Sequence, residues 1–279
     1  MDTGRPSQTA LAAARHRAAH QILEQGRIFA DPLALTILGD GASSAVQRAR
    51  EDAGARPMRI FIAVRSRFAE DMLEKTLDHG VRQVVVLGAG LDTYAYRNAR
   101  RGRLHIIEVD HPATQAWKRQ LLEDAAIPVP SLLTFAPIDF ERESLAEGLA
   151  GAGFDRNLPT FFTWLGVVPY LTEEAVWSTL TFIARLPHGG HVVFDYSDPP
   201  DTLSSDARAR HDTRAERVAT LGEAFVTHFE PAPLRTALAA RGFSHINDLG
   251  PAGIAARYFP GRGARPDRGG HVVHAATLT

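Results

Sequence analysis

The sequence contains no cysteine, which excludes disulfides, thiolate zinc sites and a cysteine nucleophile and accords with a reducing cytoplasm. Lysine is nearly absent too, since Lys75 and Lys118 are the only two, so the positive charge is almost entirely arginine. Neither sign of charge prevails: 31 Lys+Arg face 32 Asp+Glu, for a net charge of -1. Such a chain has no global field for a phosphate backbone, so no nucleic-acid partner is expected. No segment approaches the roughly 18 consecutive apolar residues of a membrane span. The opening Met1-Asp2-Thr3-Gly4-Arg5-Pro6 lacks the basic start and apolar stretch of a leader. A cytoplasmic protein with no membrane partner is the expectation. His16 and His20 have metal-ligand spacing on a helix, but no third ligand accompanies them and no metal site is expected.

What is present is ordered as α/β. The chain has 279 residues, 44% of them hydrophobic, enough for one large α/β domain with an added helical region. The first eighty residues hold no strand candidate. Ser7 can cap a helix running to about Leu23 and ended by Gly26; Asp31-Pro32 starts a short one that Gly39 stops. Phe61, Val64, Phe68, Met72 and Leu77 recur near the helical period before Gly80. Residues 1–80 are therefore expected to form a helical extension, acting as a lid on a domain spanning 81–279.

Beyond residue 80 the pattern switches to short apolar runs separated by helical stretches. The runs are Val84–Leu87, Leu104–Ile107, Leu132–Phe135, Phe161–Trp164, Val192–Phe194, Phe243–Leu249 and His271–Thr277. Runs apolar on both faces suit a largely parallel sheet covered by helices on both sides, here seven-stranded and doubly wound. Thr172 to Leu186 reads as an intervening helix, capped by Thr172, with Glu173 and Glu174 in its first turn. The polar stretch Asp198 to Arg217, with Pro199-Pro200, reads as a crossover loop or a second part of a lid.

The chemistry is concentrated between Val84 and Arg97. A buried strand turns sharply through Gly88 and Gly90, where the missing Cβ lets backbone approach a ligand. The next strand ends at Glu108-Val109-Asp110, which places a carboxylate about 20 residues beyond the turn, where it can accept hydrogen bonds from both ribose hydroxyls of a nucleoside. A Gly-x-Gly turn is shared by dinucleotide sites, but their fingerprint wants a third glycine at position 93, and Thr93 stands there. A nucleoside without a phosphate fits better, and S-adenosyl-L-methionine is such a ligand.

At this point the chain resembles the leucine carboxyl methyltransferase family, within it the bacterial branch of S-adenosylmethionine-dependent methyltransferases. The resemblance rests on Leu-Gly-Ala-Gly-Leu-Asp-Thr-Tyr-Ala-Tyr-Arg at 87–97. Glu108-Val109-Asp110-His111-Pro112 with Lys118, and Trp164-Leu165-Gly166-Val167-Val168-Pro169-Tyr170-Leu171-Thr172, support it. Weaker matches are Val64-Arg65-Ser66-Arg67-Phe68, Asp31-Pro32-Leu33-Ala34 and Gly222-Glu223-Ala224-Phe225. The resemblance implies a class I methyltransferase fold, a Rossmann-like sheet with the helical lid, and S-adenosyl-L-methionine as methyl donor. It implies that Gly88, Ala89 and Gly90 line the donor's methionine portion, that Asp110 takes the ribose, that Asp139 and Phe140 hold the adenine, and that Arg65 meets the donor carboxylate. Many members carry glutamate where this chain has Leu165, a position that would otherwise contact the donor's amino group.

The acceptor is less sharply marked. Tyr170, Asp195 and Tyr196 lie at or just beyond strand ends and are the catalytic candidates, each with a plain alternative as core aromatic or loop cap. Transfer to an oxygen, carboxylate or hydroxyl, of a small organic molecule is the expected reaction. A nicotinamide-dependent oxidoreductase and a non-catalytic module that keeps the donor pocket remain as alternatives.

Overall fold

The computed structural model describes residues 6–98, 103–139, 143–261 and 268–277. Its elements, in chain order, begin with α1 (Gln8–Leu23), α2 (Gly41–Glu51) and α3 (Arg56–Leu77). There follow β1 (Gln83–Leu87), α4 (Tyr94–Arg97), β2 (His105–Asp110), α5 (Pro112–Asp124), β3 (Leu133–Pro137), α6 (Leu145–Gly151) and β4 (Thr160–Trp164). The chain continues through α7 (Glu173–Ala184), β5 (Gly190–Ser197), α8 (Ser205–Ala219), α9 (Pro231–Ala240), β6 (His245–Leu249), α10 (Pro251–Tyr258) and β7 (Gly270–Ala276).

All seven apolar runs are strands of one sheet, in the order β3-β2-β1-β4-β5-β7-β6. The pairs β1–β2, β2–β3 and β4–β5 are parallel, in registers that set Val85 beside Ile107, Glu108 beside Phe135 and Phe162 beside Val192. β7 runs antiparallel to both β5 and β6. Every residue of β1 is buried, as a strand covered on both faces must be. Such a strand owes its place to desolvation: each fully buried Val or Leu contributes about 1.5–3 kcal/mol relative to exposure. Among the described residues no helix is long and apolar enough to cross a membrane.

By their contacts the described residues fall into two compact units, one within 6–70 and 82–154, the other within 71–81 and 155–277. The first holds the parallel strands β1, β2 and β3, and the second β4 to β7.

Helix ends follow the local chemistry. The Ser7 hydroxyl accepts the Ala10 N–H at 3.0 Å, and α1 ends where Gln25 and Gly26 turn left-handed at φ 56° and 61°. Thr172 caps α7 by accepting the Ala175 N–H at 3.3 Å. Two expectations need correction. The helix expected from Asp31 to Gly39 is only a 3-10 turn over Thr36–Leu38, and the Asp31 carboxylate, which accepts the Leu33 N–H at 3.1 Å, also faces the buried Thr93 hydroxyl. The stretch Asp198 to Arg217, read as a crossover loop or a second part of a lid, contains α8, capped by Ser204. Only His211 and Val218 are buried in α8, so its helical period is written in charge and not in hydrophobicity. The candidate Phe140 lies outside the described residues.

Candidate functional site

In the first unit, β1, β2 and β3 point their carboxyl ends the same way, and open α/β sheets bind ligands outside those ends. The turn after β1 needs glycine twice: Gly88 has φ 63° and Gly90 φ 46°, conformations that cost an ordinary residue about 1–2 kcal/mol. Ala89 between them donates its N–H to the Val109 carbonyl at 3.0 Å. At the tip of β2, Asp110 accepts the Gly90 N–H on Oδ2 at 2.5 Å and the His111 N–H on Oδ1 at 2.7 Å. Its carbonyl accepts the Ile138 N–H at 2.9 Å, which sets half-buried Asp139 just beyond β3. Gly88, Ala89, Gly90, Asp110 and Asp139 therefore share one end of the parallel strands. Arg65 lies half-buried on α3 in the same unit.

Asp110 is 8% exposed. Burial pushes its carboxyl above the ordinary aspartate range, while the Gly90 and His111 N–H groups, and then Lys118 and His111 by charge, pull back toward ionisation. Each carboxylate oxygen has used one acceptor site on backbone, which leaves one apiece for a ligand's hydroxyls.

Beside the turn lies a buried polar cluster that binds the N-terminal helices to it. Asp31, whose side chain is inaccessible, accepts the Thr93 hydroxyl at 2.8 Å and pairs with Arg17 at 3.4 Å and Arg97 at 3.6 Å. Arg17 also donates to the Leu91 carbonyl. Arg97 donates its Nε–H to Thr93 at 3.0 Å and forks onto Glu70, while its guanidinium lies 4.8 Å from the centre of the Phe29 ring. Ala10 of α1 sits where a Cβ on Gly90 would come within 3.0 Å. The Ser7 N–H reaches the Thr114 hydroxyl at 3.1 Å.

A second buried group backs β2: Glu108 pairs with Lys118 at 2.7 Å and accepts the Tyr96 hydroxyl at 3.2 Å. The local geometry bears on which ligand fits. A diphosphate is received by the free backbone N–H groups of a helix N-terminus at the turn, but the helix that follows the turn here, α4, has only four residues. A carboxylate with two spare acceptor sites at the tip of β2 suits vicinal hydroxyls, so the residues present fit a nucleoside that carries no phosphate.

In the second unit the sequence candidates are held differently. Asp195 of β5 is buried and accepts the Gly166 N–H at 2.6 Å, which fixes the turn carrying half-buried Leu165 after β4. Tyr196 is 2% exposed; its hydroxyl donates to Asp248 at 2.8 Å, and its ring stacks on His271 at 4.6 Å. Burial, then the Asp248 and Asp198 carboxylates, raise the tyrosine well above its ordinary range, so it stays neutral. Tyr170 is half-buried, with its ring centre 5.3 Å from that of Phe225. Sequence reading missed the Arg17–Asp31 pair, though Asp31-Pro32 was noticed. Lys118, one of only two lysines, was a signal that could have drawn attention to Glu108.

The family model described as leucine carboxyl methyltransferase matches residues 10–184. A Bacillus subtilis (strain 168) protein named "Putative S-adenosyl-L-methionine-dependent methyltransferase YktD" is 34% identical over 200 residues, covering 71% of this chain and 66% of that protein. A Streptomyces coelicolor protein with the same description is 37% identical over 188 residues, covering 65% of each. The match thus spans just under two thirds of the length of these relatives. Among solved structures, that of the CurJ carbon methyltransferase aligns with TM-score 0.54 at 14% identity, over 98% of this chain and 68% of that one; it shares the fold.

Proposed function

The chain belongs to the leucine carboxyl methyltransferase family, and from that premise we propose that it is an S-adenosyl-L-methionine-dependent methyltransferase acting on an oxygen of a small organic acceptor. The observation that carries this reading is Asp110, buried at the tip of β2 with one acceptor site free on each oxygen. When bound, the donor supplies an electrophilic methyl group on a positively charged sulfur. Asp110 accepts the two ribose hydroxyls, the Gly88–Gly90 turn lies along the methionine portion, and Asp139 with Phe140 meets the adenine. Arg65 is assigned to the donor carboxylate, and Leu165 leaves the amino group to other partners.

The protein's main task in such a displacement is alignment, which can remove on the order of 7–11 kcal/mol of barrier. The helices before residue 80 serve as the lid: Arg17 and Ala10 of α1 reach the glycine turn, and closure there excludes water from the reacting centre. Leu165 in place of a carboxylate, with Tyr170 nearby in sequence, favours an apolar acceptor. Incubation with methyl-labelled donor and a panel of organic acids, alcohols and phenols tests the reading. A methyl ester or ether is the expected product, and a new methyl group bonded only to carbon or nitrogen would overturn the oxygen assignment.

A further inference from the structure

One helix of the second unit keeps an outer face that nothing in that unit covers. With about 3.6 residues per turn, the buried Val176, Leu180 and Ile183 of α7 fall on one side of the helix. Glu174, Ser178, Thr181 and the C-cap Arg185 fall on the opposite side, and Trp177 and Phe182 on its two flanks. A helix laid on a sheet ordinarily turns charged residues outward. Here these six outer residues instead line an open groove, which Arg156 joins from the turn before β4.

The walls of the groove are fixed by packing. The Trp177 indole donates its Nε1–H to Glu173 at 2.8 Å, its ring centre lies 5.5 Å from that of Phe229, and the Arg241 guanidinium lies 4.0 Å from it. Phe182 meets Phe162 edge-on at 6.5 Å, with the Arg156 guanidinium 5.2 Å from its ring centre. Between these walls the small residues Ser178 and Thr181 form a low strip. The ends of the strip are charged. Glu174 in the first turn and Arg185 at the last are both exposed, and neither forms an ion pair among the described residues.

The sequence of size and charge along this face is its own complement. Glu174 and Arg185 are equidistant from the point midway between residues 179 and 180. A second α7 laid antiparallel across that point sets Glu174 against Arg185 of the second copy at each end. It also sets Trp177 against Thr181 of the second copy on one side, and Ser178 against Phe182 of the second copy on the other. Every large residue then meets a small one and every charge its opposite, each contact occurring twice. Contacts that pair i with j and j with i are what a two-fold interface requires, and small residues at the crossing let helix axes approach to about 8–10 Å.

We propose that the outer face of α7 is a self-association surface, occupied by the same face of a second copy of this chain with the two helices antiparallel. The 12 residues of α7 offer a contact at the low end of specific interfaces, so the dimer is reversible, with a dissociation constant on the order of 1–100 μM. The inference uses no part of the donor site and stands apart from the methyltransferase reading.

Sedimentation velocity of the full chain from about 1 to about 300 μM, a range that brackets this constant, should show monomer passing to dimer. Glu174→Arg and Arg185→Glu each put like charges together at both ends and should weaken association about tenfold or more. The two variants mixed in equal amounts should associate as the unaltered chain does, because each supplies the charge that the other lacks, and the double variant should do the same alone. A cross-link serves if a charge variant fails to fold. In the antiparallel pair the two copies of Ser178 lie on one side, about 4.5 Å apart along the helices, so Ser178→Cys, in a chain without other cysteine, should form a disulfide dimer under mild oxidation. Ser205→Cys on α8, also exposed, should not. Monomer at every concentration, full association by either single charge variant, no gain on mixing the two, or equal cross-linking at 178 and 205 would each overturn the proposal.

Discussion

Gly90 donates its backbone N–H to Oδ2 of Asp110, 20 residues further along the chain. One carboxylate thereby holds the glycine turn of β1 against the tip of β2 and still has acceptor sites to offer. Asp110 acts on the fold and on the proposed site together, so its removal is expected to register in both. Asp110→Ala should weaken S-adenosyl-L-methionine binding about ten- to a hundredfold, the effect of losing charge-assisted hydrogen bonds of roughly 1.5–3 kcal/mol. It should also lower the melting temperature, because the Gly90 and His111 N–H groups lose their acceptor. Calorimetric titration alongside thermal unfolding checks both, and unchanged affinity in a folded variant would exclude Asp110 as a ligand.

The pair Glu108–Lys118 is the most deeply buried ion pair among the described residues, with both side chains 1% exposed. Lys118→Met alone leaves a buried carboxylate that burial already pushes toward protonation, and should cost about 3–5 kcal/mol. Adding Glu108→Leu should restore much of that stability, since well-packed apolar replacements of buried pairs are often neutral. Urea unfolding of the single and double variants measures the difference, and equal stability in the two would show that the pair is not energetically coupled.

Stability should also fall on acidification through His191 and His274. Their rings lie parallel with centres 5.5 Å apart. Burial, then His79, pulls His191 down to about 4, and burial, then His191, pulls His274 down to about 3. The unfolded histidines protonate near 6.5, so the folded state binds fewer protons than the unfolded one between about pH 6.5 and 4. The contribution of the pair is therefore present above pH 6.5 and lost as pH drops through that window, by up to about 2 kcal/mol per ring at pH 5. His191→Phe with His274→Phe should flatten the pH dependence of the unfolding free energy, and an unaltered slope would contradict this origin.

The lid assignment rests on α1, where Arg17 reaches both Asp31 and the Leu91 carbonyl. Arg17→Ala should leave the Asp31 carboxylate to Arg97, the Thr93 hydroxyl and the Leu33 N–H and loosen α1 from the glycine turn. Faster hydrogen exchange confined to α1 and the residues around 88–93, with weaker donor binding, is the expected outcome. Unchanged exchange there would show that α1 docks independently of this contact.

The fold was legible where burial writes a strong pattern. The central strands β1, β4 and β5 are apolar and buried on both faces, and Ser7, Thr172 and the glycines after helices announced their ends. α2 and α8 were not read, because α2 buries only Ala45 and Val46 and α8 only His211 and Val218. The site divides similarly. Gly88, Gly90 and Asp110 could be found because one turn and one strand end fix them at a set spacing. The Asp31 cluster is assembled by a tertiary contact over 62 residues, where no local pattern links the partners.

The central claim is that the first unit binds a nucleoside methyl donor and no dinucleotide. Calorimetric titration of the full chain with S-adenosyl-L-methionine, its demethylated product and NAD tests it directly. One site per chain for the first two and no heat with NAD is the expected result. Saturable binding of NAD, or a folded protein that binds neither S-adenosyl-L-methionine nor its product, would contradict it.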